Sequence, residues 1–134
     1  MIFRSDGSVC QLSQIKLPSL ELSLEFLEEI FLSPSIFLMN LSVCLLLKYS
    51  YYTRTILSQD NIGWIISVST IIAYKIYYDN QMEDLMSYFA DITYLPINEL
   101  GDIERIFLEA IDYRTIIDPA QYQYVVAKIF ENQK

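Results

Sequence analysis

Residues 62–78 read IGWIISVSTIIAYKIYY, and Lys75 is their single charge. The β-branched residues Ile65, Ile66, Val68, Thr70, Ile71 and Ile72 would suit a buried strand. A stretch of about 17 residues is long for a strand and ordinary for a helix, so length decides for helix. A helix that is apolar all round is a buried one. This segment is therefore expected to be the hub of a helical bundle.

Working outward, the prolines divide the chain. Pro18, Pro34, Pro96 and Pro119 each stand just before an apolar-periodic stretch, where a fixed φ and a missing N–H suit a first helical turn. From Leu20 to Phe31 the apolar side chains fall on one stripe, with Glu21, Glu25, Glu28 and Glu29 opposite. Ser33-Pro34-Ser35 ends that helix and opens a second, to about Tyr52, nearly all apolar as far as Leu47. The polar loop Ser58-Gln59-Asp60-Asn61 leads into the hub, with Asp60 or Asn61 as its cap. A short helix from Gln81 to Ala90 follows, then a fifth over 97–112 opened by Pro96. Asp118-Pro119 starts the last, running to about Phe130. Gly101 inside the fifth helix costs up to about 1 kcal/mol against alanine unless a neighbour packs close to it.

At 134 residues the chain suits one domain, which buries about two thirds of its unfolded surface on folding. Apolar residues make up 53% and charged residues 19%, which provides a full core and argues against disorder. Three glycines are too few for a sandwich of many short strands. We expect an all-α fold: an N-terminal arm over 1–18 and one helical domain over 19–134.

The uncharged run from Ile30 to Leu47 is too short and too polar for a membrane span, which needs roughly 20 mostly apolar residues. The N-terminus lacks the pattern of a signal peptide. Cys10 and Cys44 have no metal spacing, consistent with a reduced intracellular protein, nuclear or cytoplasmic. Asn40-Leu41-Ser42 is formally a glycosylation sequon, but its apolar neighbours place it in a buried helix.

Between residues 79 and 118 there are ten acidic side chains against Arg105 and Arg114, which matches the whole net charge of −8. A nucleic-acid binder needs a basic stripe to neutralise phosphates, and none is present. A basic protein surface is a better partner, although an acidic face also serves solubility alone. The chain has no histidine, which removes imidazole-based triads, imidazole zinc sites and the commonest general base. No glycine-rich phosphate loop occurs. The carboxylate pairs Glu28/Glu29 and Asp102/Glu104 sit at spacings that point to different sides of a helix. Neither catalysis nor a cofactor is expected.

Four segments carry a resemblance. Ile71-Ile72-Ala73-Tyr74-Lys75-Ile76-Tyr77-Tyr78-Asp79 looks like the third helix of the cyclin box, where an apolar run ends in alanine, one residue, lysine, then aromatic and acidic residues. Pro96-Ile97-Asn98-Glu99-Leu100-Gly101-Asp102-Ile103-Glu104-Arg105-Ile106-Phe107-Leu108 resembles the fifth helix of that fold. Ala110-Ile111-Asp112-Tyr113-Arg114 is similar to its exit, and Leu32-Ser33-Pro34-Ser35 to the first interhelix break of short, single-box phosphate-pathway cyclins (the P/U type). The resemblance spans residues 19–130 and implies one cyclin box of five helices plus a C-terminal helix.

It also implies a job: a regulatory subunit, monomeric until it pairs, that binds and controls a cyclin-dependent protein kinase. By the same resemblance Lys75 and Glu104 bind the kinase backbone, while Ile76, Leu108 and Tyr113 line the apolar contact with its mobile helix. An ammonium donating to carbonyls and a carboxylate accepting from N–H groups can position a segment without reading its side chains. Spacing alone equally allows Lys75 to snorkel from a buried helix and meet Glu104 within the chain. The alternative function is a cyclin-fold adaptor or scaffold, transcription-related, without kinase control. The family's first-helix arginine is absent, so its substrate-docking patch is not carried over. Its Asp-Arg near the end of the second helix is replaced around Lys48-Tyr49-Ser50.

Overall fold

The computed structural model describes residues 2–3, 9–10, 17–30, 36–77 and 85–132. In them the chain forms helices α1 (Leu20–Ile30), α2 (Ile36–Thr53), α3 (Ile62–Tyr77), α4 (Leu85–Thr93), α5 (Ile97–Ala110) and α6 (Pro119–Asn132). The all-α class expected from the sequence is what is found. One addition lies in the N-terminal arm: β1 (Ile2–Phe3) pairs antiparallel with β2 (Val9–Cys10), and β1 lies against α5. The Ser33-Pro34-Ser35 break, Tyr78-Asp79 and the expected helical start at Gln81 fall outside the described residues.

The hub is α3. It packs on α1, α2 and α5, and Trp64, Ile65, Val68, Ile71, Ile72 and Ala73 are all buried. Its hydroxyls are accommodated locally: Ser69 and Thr70 donate to the carbonyls of Ile65 and Ile66 one turn back, at 2.7 and 2.8 Å. Near its start, Gly63 lets α1 come close. A Cβ there would lie 3.1 Å from the Leu20 Cα and from the Ser23 Cβ. On the stripe of α1, Phe26 is buried with its ring 4.6 Å from that of Phe89 in α4.

At the end of α2, Tyr49 is sandwiched by aromatics. It stacks on Phe107 of α5 (centroids 4.7 Å apart, planes at 15°) and makes a T-shaped contact with Trp64 at 5.6 Å. Such pairs are worth about 0.5–1.5 kcal/mol beyond the area they bury. The sequon reading holds, since Asn40 and Ser42 are buried in α2. Asn40 Nδ2 donates to the Tyr122 hydroxyl at 3.2 Å, and Ser42 Oγ to the Leu38 carbonyl at 2.7 Å. Uniform apolarity in α2 hid its outer face, where Phe37, Met39, Leu47, Tyr51 and Tyr52 are exposed.

Helix ends differ from the sequence reading where residues other than glycine take the left-handed region. Arg54 (φ 55°) stops α2. Asp112 and Tyr113 (both φ 56°) stop α5 at Ala110 rather than 112. The Tyr113 N–H closes that end by donating to the Leu108 carbonyl at 2.8 Å, an orphan of the last turn. Helix α4 runs on through Thr93, whose Oγ1 donates back to the Phe89 carbonyl at 2.8 Å, and left-handed Tyr94 ends it. Pro96 takes the N-cap position of α5. Asp118 caps α6, its Oδ1 accepting from the Ala120 N–H at 2.8 Å with Pro119 at the first helical position. The Asn61 side chain, one of the two residues (with Asp60) read as the cap of α3, turns back instead. Its Oδ1 accepts from the Ser58 N–H at 2.8 Å and its Nδ2 donates to the Ile56 carbonyl at 2.9 Å, closing the loop. Gly101 has nothing within 4 Å of an added Cβ, so no close packing compensates its helical cost.

Candidate partner-docking face

The last turn of α3 leaves the core. Ala73 is buried, whereas Lys75 and Ile76 are exposed, Ile76 to 44%. Helix α5 crosses beside it and offers Glu104. The Lys75 ammonium lies 3.1 Å from both carboxylate oxygens of Glu104, with the lysine side chain 41% and the glutamate 16% exposed. The sequence left open whether these two residues meet each other, and they do. Contact within the chain does not exhaust them. An ammonium has three donors and a carboxylate about four acceptor sites, so both keep capacity for another backbone.

Leu108 follows Glu104 by one helical turn on the same side of α5; it is half-buried and rests on the core. Tyr113, left-handed just past α5, is 61% exposed. The five residues singled out in the sequence thus fall on the end of α3, the outer side of α5 and the turn after it. The other carboxylate weighed there, Asp102, is buried and lies 3.5 Å from Arg105. Among the described residues, no group of acids and cysteines is arranged to hold a metal ion, and no helix is long and apolar enough to cross a membrane.

Two residues of this region were missed in the sequence. Lys48 Nζ, on α2, donates to the carbonyls of Arg114 and Ile116 at 2.7 and 3.2 Å. Burial of its ammonium, and then the nearby Arg114 charge, lowers the Lys48 pKa. The Tyr77 hydroxyl, on α3, donates to the Thr115 carbonyl at 3.2 Å and accepts from the Ile117 N–H at 2.9 Å. Lys48 did carry a signal, as the first charge after the apolar run of α2. Its partners lie 66 and 68 residues away and had none.

No family model matches the chain, and neither a curated protein nor a solved structure does.

Proposed function

We propose that this chain is a cyclin-type regulatory subunit that docks on a cyclin-dependent protein kinase and performs no catalysis itself. The observation that supports it most is the Lys75–Glu104 pair: two residues from different helices, joined at 3.1 Å at the surface, with unused donors and acceptors. Exposed Ile76 on α3 and Tyr113 just past the end of α5 provide apolar area. Such a face suits a kinase's mobile helix, its backbone held by the charged pair and its apolar side by the flanks. Docking would control the kinase only through tighter binding to the active placement of that helix, because a ligand shifts an equilibrium by its differential affinity alone.

The test is binding of the purified chain to a panel of purified, unpartnered cyclin-dependent kinases, with phosphoryl transfer measured alongside. A kinase that binds and gains activity supports the reading. A panel with no binder ends it, and binding without any change in activity favours an adaptor.

A further inference from the structure

The segment after α5 is held in an unusual way. Residues 114–118 form neither helix nor strand, yet four consecutive residues are tied by side chains from two other helices. Lys48 takes the Arg114 and Ile116 carbonyls. Tyr77 takes the Thr115 carbonyl and the Ile117 N–H. Two helices thus hold alternate residues of the segment, α2 at Arg114 and Ile116 and α3 at Thr115 and Ile117. Between the grips Ile116 is 81% exposed, and Tyr113 just before them is 61% exposed.

We propose, building on the kinase-docking reading, that residues 113–117 are a preset contact strap, with Lys48 and Tyr77 as its positioning residues and Ile116 as a further docking residue. Tyr113 belongs to both, so the strap continues the docking face beyond the end of α5. With four of its backbone groups engaged, the strap has less backbone to offer a partner strand. It recognises through the side chains of Tyr113 and Ile116, which fit the apolar side of a helix. Fixing the segment beforehand reduces the ordering cost that a mobile loop would incur on binding.

The experiment uses the full chain and the same panel of purified kinases. Ile116→Ser should weaken binding about tenfold or more, the range of an anchor residue, with an unchanged melting temperature. Lys48→Met with Tyr77→Phe keeps the stem and the ring but removes all four hydrogen bonds. It should weaken binding comparably and let trypsin cut faster after Arg114, whereas Lys75→Ala should leave that cut unchanged. If Ile116→Ser binds like wild type while Lys75→Ala does not, Ile116 is no docking residue and the docking reading stands alone. A doubly substituted chain that is cut faster yet binds normally overturns the positioning role. Absence of any wild-type binding removes both readings together.

Discussion

Lys75 and Glu104, 29 residues apart on α3 and α5, share a two-oxygen ion pair with both distances at 3.1 Å. An exposed pair of this kind contributes about 0–1 kcal/mol to folding. Losing one member to a partner that has buried its own polar group costs about 2–5 kcal/mol of binding. Lys75→Ala and Glu104→Ala are therefore expected to melt close to wild type and to lose kinase affinity by that larger amount. The double variant should lose less than the sum, since both hold one segment. Melting curves beside calorimetric titrations check this; variants that melt early yet keep the kinase would end the docking reading.

Gly101 and Gly63 should respond oppositely to added side chains. Open space around Gly101 predicts that Gly101→Ala stabilises by up to about 1 kcal/mol. Gly63→Leu forces a side chain against the backbone of α1 and should destabilise by about 1–3 kcal/mol. Urea unfolding midpoints measure both.

The aromatic sandwich at the end of α2 is a core element. Tyr49→Ala removes a ring stacked at 4.7 Å on Phe107 and should destabilise by about 3–5 kcal/mol. Tyr49→Phe keeps both ring contacts and should retain most of that stability. Thermal unfolding of the two variants compares them directly.

Cys44 gives a pH dependence. Burial disfavours its thiolate and raises its pKa above the ordinary 9.0, with the Lys48 charge opposing less strongly. The folded chain thus holds this proton more tightly than the unfolded chain. The resulting stability is intact below the unfolded thiol's pKa and is lost as pH rises through the folded value. Melting temperature should fall less steeply above pH 9.0 in Cys44→Ala than in wild type. Parallel slopes would refute this.

Charge predicts indifference to nucleic acid. Among the described residues, Lys75, Arg105, Arg114 and Lys128 each have an acidic partner, Lys48 holds carbonyls, and Arg54 is one further exposed cation at the end of α2. With no free basic stripe and a net charge of −8, the chain should not shift a DNA duplex or an RNA at physiological salt. Salt-sensitive micromolar binding would contradict this.

Most of the helical frame was legible because prolines and apolar stripes mark helix starts and faces. Pro96 and Asp118-Pro119 open α5 and α6 at the expected residues. The helix ends were less legible. Glycine is the usual cue for a left-handed stop, whereas here Arg54, Tyr94, Asp112 and Tyr113 take that conformation. The candidate face was visible only in part. Lys75 stands out as the lone charge of an apolar helix, and Glu104 came from the resemblance. The grip of Lys48 and Tyr77 depends on contacts 38–68 residues apart in sequence, which periodicity does not encode.

Trp64 is the chain's single tryptophan, buried at the start of α3 with its ring nearly perpendicular to that of Tyr49. That makes it a built-in optical gauge. Its emission should be blue in the native state and shift to the red as the hub comes apart. Lys75 lies eleven residues further along the same helix, about 16 Å at 1.5 Å per residue. A partner seated there should leave the emission wavelength nearly unmoved. Fluorescence of the unlabelled chain can therefore show whether a variant that fails to bind a partner has kept its fold.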